Sequence, residues 1–99
     1  MSHISVIIPV YNCGQFLRRC LDSLVSQTFN DWEAICINDG SKDNSGEILD
    51  EYAAADKRFK VVHKKNEGVS AARNTALSLV DSDYIMFMDS DDFLHPQAM

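Results

Sequence analysis

Short runs of β-branched and other apolar residues alternate along the chain with stretches in which apolar residues recur every three or four positions. Ile4 to Pro9 is the first run, apolar at nearly every position and closed by proline, the pattern of a strand buried on both faces. Phe16, Leu17, Cys20, Leu21, Leu24 and Val25 then form one helical stripe. A second strand is predicted over Trp32 to Asn38. Ile48, Leu49, Tyr52 and Ala53 repeat the helical spacing behind Asp43, Asn44 and Ser45, which are capping candidates. Phe59 to His63 reads as a third strand, Val69, Ala72, Ala76, Leu77 and Val80 as a third helical stripe, and Tyr84 to Met88 as a fourth strand. Pro96 stands where a further helix would begin.

Strands and helices in strict alternation call for parallel strands joined by right-handed crossovers. The expected fold class is therefore α/β, a three-layer, mostly parallel sheet in βαβαβαβ order. Sheets of this kind bind ligands beyond the carboxyl ends of their strands, where the strand order reverses. The loops that begin at Tyr11, Asp39, Lys64 and Asp89 are thus the ones whose polar residues belong together.

The length of 99 residues fits one small domain, and 45% hydrophobic with 24% charged residues excludes intrinsic disorder. The apolar run near the start falls far short of the ~20 residues that cross a bilayer, and it is not a convincing signal peptide. Cys13, Cys20 and Cys36 make no CxxC pair and have no histidine at metal spacing, which suits reduced core thiols and a cytoplasmic location. A net charge of −6 argues against nucleic acid as a partner. Most of that charge sits in residues 81–92, where Asp81, Asp83, Asp89, Asp91 and Asp92 occur without a base.

The fourth strand ends in Asp89-Ser90-Asp91-Asp92. Alternation along an extended chain puts Asp89 and Asp91 on one side, where they repel unless a cation or proton intervenes. A hard divalent ion with oxygen ligands, Mg²⁺ or Mn²⁺, resolves the conflict; a solvated acidic loop, with Asp92 capping a following helix, is the plainer reading. After the second strand, Asp39 can accept a hydrogen bond from an imide N–H such as N3 of uracil, or Asp39-Gly40 can simply make a turn. Tyr11 offers a ring for base stacking, or one packed over a strand end. Arg73 lies on the apolar stripe of the third helix, near its unfavourable end for a cation, so an anionic partner is expected: Asp39, Asp89 or a ligand phosphate.

Other phosphate-handling folds lack their marks. No GxGxxG follows the first strand, where the chain reads Tyr11-Asn12-Cys13-Gly14, and no Gly-Lys-Ser/Thr occurs. A phospho-receiver or aspartate-nucleophile phosphatase would carry acids after the first strand, and there are none.

Four segments in this order resemble the family 2 nucleotide-sugar glycosyltransferases of GT-A fold. They are Ser5 to Asn12, Asn38-Asp39-Gly40-Ser41-Lys42-Asp43, Asn66-Glu67-Gly68-Val69-Ser70-Ala71-Ala72-Arg73-Asn74, and Asp89-Ser90-Asp91-Asp92, which is similar to that family's DxD signature. The resemblance covers nearly the whole chain. It implies a Rossmann-like nucleotide-binding half in which Pro9 and Tyr11 frame uracil, Asp39 takes its N3–H, and Arg73 contacts the nucleotide. Asp89 would face the ribose or a metal-bound water, and Asp91 would be the direct ligand of a Mg²⁺ or Mn²⁺ ion bridging to the diphosphate. It further implies inverting transfer from a UDP-sugar to an acceptor hydroxyl on a glycan or lipid-linked acceptor, with a carboxylate general base.

In the family that base lies well beyond the DxD, so it is expected past Met99, and Asp81, Asp83 and Asp92 do not take its place. The chain is accordingly expected to be residues 1–99 of a single incomplete GT-A domain, not catalytic by itself, located in the cytoplasm or at the cytoplasmic face of a membrane. An exposed edge at Tyr84 to Met88 would invite homodimer pairing. A non-catalytic nucleotide-binding or interaction module is the alternative, and a phosphotransfer domain acting through Asp39 or Asp89 a more distant one.

Overall fold

The computed structural model describes residues 2–27, 31–80 and 82–88. Seven elements follow one another: β1 (Ser2–Val10), α1 (Gly14–Val25), β2 (Trp32–Asp39), α2 (Ser45–Ala55), β3 (Phe59–Lys64), α3 (Val69–Leu77) and β4 (Ser82–Phe87). The strands form one sheet in the order β3-β2-β1-β4, and every pairing is parallel. The chain therefore builds outward from β1 through β2 to β3, then crosses back to lay β4 on the other side of β1. That reversal puts the switch point between β1 and β4.

The two faces of the sheet have separate cores. Val6, Ile8, Val10, Ala34 and Cys36 pack with Leu17, Cys20, Leu21 and Leu24 of α1 and Ile48 and Leu49 of α2. Ile7, Ile35 and Ile37 pack on the opposite face with Ala72 and Ala76 of α3. Because successive side chains of a strand point to opposite faces, the unbroken apolar runs of β1 and β2 are what a sheet covered on both sides requires. Val6, Ile7 and Ile8 are all fully buried, as that run predicts. The small side chains of Ala72 and Ala76 let α3 lie close to the two central strands.

Pro9 sits in a central strand, where its missing N–H would normally cost a ladder bond. The Ile7 carbonyl accepts the Met88 N–H at 3.0 Å, so Pro9, two residues on, turns the same backbone side toward β4. The β1–β4 register ends at Ile7 against Phe87, and no pairing is lost. The proline thus falls where β1 and β4 part.

Three residues of the expected helical stripes are not core. Phe16, Val25 and Leu77 are exposed, because α1 turns Leu17, Cys20, Leu21 and Leu24 inward and α3 turns Ala72 and Ala76 inward. Val80 lies past the end of α3 and still packs on its core. Of the three capping candidates, Asp43 is the one that serves α2. Asn44 takes the N-cap position of α2 without a side-chain bond, and Asp43 supplies it instead, its Oδ1 accepting the Ser45 N–H at 2.9 Å. The helix expected at Pro96 lies outside the described residues.

Candidate functional site

All strands being parallel, the loops after β1, β2 and β3 open on one edge of the sheet, and a lattice of side-chain bonds ties them together. Asn12 adopts a left-handed backbone (φ 49°), which asparagine tolerates better than most residues. Its Oδ1 accepts the Lys42 N–H at 2.7 Å, and its own N–H donates to Ser41 Oγ at 3.0 Å. Cys13 N–H donates to Ser45 Oγ at 3.1 Å and Gly14 N–H to Asp43 Oδ2 at 3.0 Å. The start of α1 is therefore capped by residues at the entry to α2. Burial works against ionisation of Asp43, but bonds from the Ser45 hydroxyl and the Gly14 and Ser45 amides outweigh it and hold the carboxyl below its usual range.

Asp39 ends β2 and is 4% exposed. Its Oδ1 accepts the Glu67 N–H at 2.8 Å and its Oδ2 the Gly68 N–H at 2.9 Å, so the carboxylate clamps the turn that enters α3. A carboxylate has about four lone-pair sites, which leaves two for a ligand donor. Gly40 is required beside it. Its φ is 70°, and a Cβ there would stand 2.8 Å from the Asn66 nitrogen. Gly68, with φ 97°, makes the corresponding bend into α3.

Tyr11 follows β1 and is 49% exposed, outside the core. Arg73 lies one turn into α3. Its guanidinium stands 5.5 Å from the Phe87 ring centroid at the end of β4, within cation–π range. Its Nε is buried and finds no hydrogen-bond partner among the described residues. Of the anionic partners expected for Arg73, Asp39 is committed to backbone N–H groups. Asp89 and Asp91 lie outside the described residues, as do Asp81 and Asp92. The structure thus gathers Pro9, Tyr11, Asp39 and Arg73 around the carboxyl edge of the central strands, where β4 also ends beside β1.

Among the described residues no group of three or more His, Cys, Asp or Glu side chains is placed to hold a metal ion. The three cysteines are buried and unbridged, and burial, reinforced by Cys20, pushes the Cys36 thiol far up, so it is no nucleophile. Sequence reasoning gave no role to Asn38, Ser41 or His63. Asn38 Oδ1 accepts the Ser41 N–H at 3.1 Å and its Nδ2 lies 2.9 Å from His63 Nδ1. The only signal for it was an asparagine buried at a strand end, where a satisfied partner set is obligatory.

Comparison with known proteins gives a consistent result. Residues 5–99 match the profile of Glycosyl transferase family 2. The chain is 47% identical over 91 residues to Glycosyltransferase GlyA of Streptococcus pneumoniae serotype 4, a match that covers 92% of this chain and 13% of GlyA. It superposes on the crystal structure of S. aureus TarS 1-349 in complex with UDP with a TM-score of 0.89 at 29% identity, covering 96% of this chain and 29% of that one. GalNAc-T7, solved with UDP, GalNAc and Mn²⁺, gives a TM-score of 0.75 at 26% identity over 89% of this chain and 17% of its own. The chain spans less than a third of the length of these relatives.

Proposed function

Because the chain belongs to glycosyl transferase family 2, we propose that it forms the donor-binding part of a glycosyltransferase, holding a UDP-sugar at the carboxyl edge of the sheet between β1 and β4. The observation that carries this reading is Asp39. It is a buried carboxylate fixed by two backbone donors with acceptor capacity to spare, on the same edge as the exposed Tyr11 ring. In this reading Pro9 and Tyr11 frame the uracil, Asp39 takes N3–H, and Arg73 faces the nucleotide from α3. The resemblance to a UDP-bound structure supports the choice of nucleotide.

Asp91, with Asp89 alongside, would hold a Mg²⁺ or Mn²⁺ ion. A structural relative solved with UDP and Mn²⁺ supports this assignment. Such an ion supplies Lewis-acid compensation for charge gathering on the departing diphosphate. Transfer to an acceptor hydroxyl on a glycan or lipid-linked acceptor, with inversion, needs a general base, which this reading places beyond Met99 in the acceptor half. No described helix is long and apolar enough to cross a membrane. The reading places the site on the cytoplasmic side, where nucleotide-sugars are available.

Titration calorimetry tests the assignment. UDP binds the chain in the presence of Mg²⁺ or Mn²⁺, and chelation or Asp91→Ala abolishes most of the affinity. Metal-independent binding, or an Asp91→Ala chain as tight as the wild type, would sink the metal assignment. Absence of UDP binding with metal present would remove the donor-site reading and leave an interaction module.

A further inference from the structure

Behind the edge that carries Asp39, a path of side chains runs from α2 through β3 into the loop after β2. His63 Nε2 lies 2.8 Å from Asp50 Oδ1, and His63 Nδ1 lies 2.9 Å from Asn38 Nδ2. An amide nitrogen only donates, so Nδ1 is the acceptor and Nε2 carries the proton, which it donates to Asp50. The other end of the Asn38 amide is also fixed, since its Oδ1 accepts the Ser41 N–H. Reversing that amide would set NH₂ against the Ser41 N–H, donor against donor, so the Ser41 bond fixes its orientation. Ser41 Oγ in turn accepts the Asn12 N–H, next to Tyr11.

Gly46 of α2 makes room for this pair. A Cβ at that position would come 2.9 Å from Asn38 Nδ2 and 3.4 Å from His63 Cε1. The glycine has ordinary helical backbone, so close approach, rather than conformation, is what demands it.

We propose that His63 is a positioning residue for base recognition: its Nδ1 locks the Asn38 amide, and Asn38 sets the Asp39-Gly40-Ser41 turn and, through Ser41, the loop that carries Tyr11. This rests on the reading that Asp39 and Tyr11 contact the uracil. His63 touches no ligand in this scheme; its effect is confined to the base end of the nucleotide and leaves the diphosphate end alone.

Two ligands separate that effect from a general loss of structure. Binding of UDP and of inorganic pyrophosphate, each with Mg²⁺, is compared in the wild-type chain, His63→Leu, and His63→Asn, whose carbonyl stands in for Nδ1 toward Asn38. His63→Leu weakens UDP about five- to tenfold, the worth of one well-placed hydrogen bond, while pyrophosphate affinity is unchanged and His63→Asn recovers most of the loss. Gly46→Ala, which presses a methyl group onto the pair from α2, reproduces the selective loss. Equal loss of both ligands in His63→Leu, or no loss of UDP, overturns the proposal. A wild-type chain that fails to bind UDP overturns the donor-site reading instead. The relay is then judged by hydrogen exchange at the Ser41 amide, which His63→Leu accelerates and His63→Asn restores; an unaltered rate would show that His63 positions nothing.

Discussion

In the proposed donor site Asp39 has two tasks for one carboxylate. Its contribution to folding is separable from any ligand: Asp39→Ala leaves the Glu67 and Gly68 N–H groups without their acceptor. The expected cost is about 2 kcal/mol in urea denaturation of the ligand-free chain. Asn38-Asp39-Gly40-Ser41 was legible in the sequence as a turn with a ligand-ready acid. The clamp was not, because its partners come 28 and 29 residues later and depend on how the β3–α3 loop folds back. Arg73 teaches the same lesson, since the ring it lies over belongs to β4 and becomes a neighbour only once the strand order is known. A second residue ties stability to alkaline pH. Burial, helped by the bond its hydroxyl donates to Asp22 Oδ1, pushes the Tyr52 phenol up to about 12 from an ordinary value of 10.0. A raised folded-state value means that this contribution is complete below pH 10.0 and is lost as pH rises toward about 12. Melting of wild type and Tyr52→Phe should therefore differ at neutral pH and converge across that window; a constant difference would show that the phenol is not linked to folding.

Among the elements, α1 and β2 followed most directly from hydrophobic period. The exposed apolar edge expected at Tyr84 to Met88 is present in β4, where Tyr84, Ile85 and Phe87 are 61%, 46% and 50% exposed, and among the described residues β4 pairs only with β1. The sequence pattern reports what a strand is suited to pack against, not whether that neighbour is present. An edge of this kind is a template for strand addition. The 99-residue chain is expected to self-associate at raised concentration in sedimentation velocity, and Ile85→Lys, which puts a charge on the edge, is expected to restore the monomer. A wild-type monomer over a wide concentration range would count against pairing through β4. The α3 boundary has a different cause. Val80 fits the helical stripe by spacing but reaches the core from the turn after the helix, so period alone extends the element too far.

At the scale of the whole molecule, alternating elements were enough to predict a parallel α/β sheet with helices on both faces. The order β3-β2-β1-β4 was not, since period says nothing of which side of β1 receives the last strand. That order places the break between β1 and β4 next to Pro9 and Tyr11, and it gathers residues from well-separated motifs on one edge. The central claim is that a uracil nucleotide occupies this edge, and amide NMR of the chain titrated with UDP and Mg²⁺ tests it most directly. The account predicts saturable shifts at Tyr11, Asn12, Gly40, Gly68 and Arg73, with Ile4, Trp32 and Phe59 at the opposite edge unmoved. Shifts centred on that opposite edge, or none at any nucleotide concentration, would contradict it.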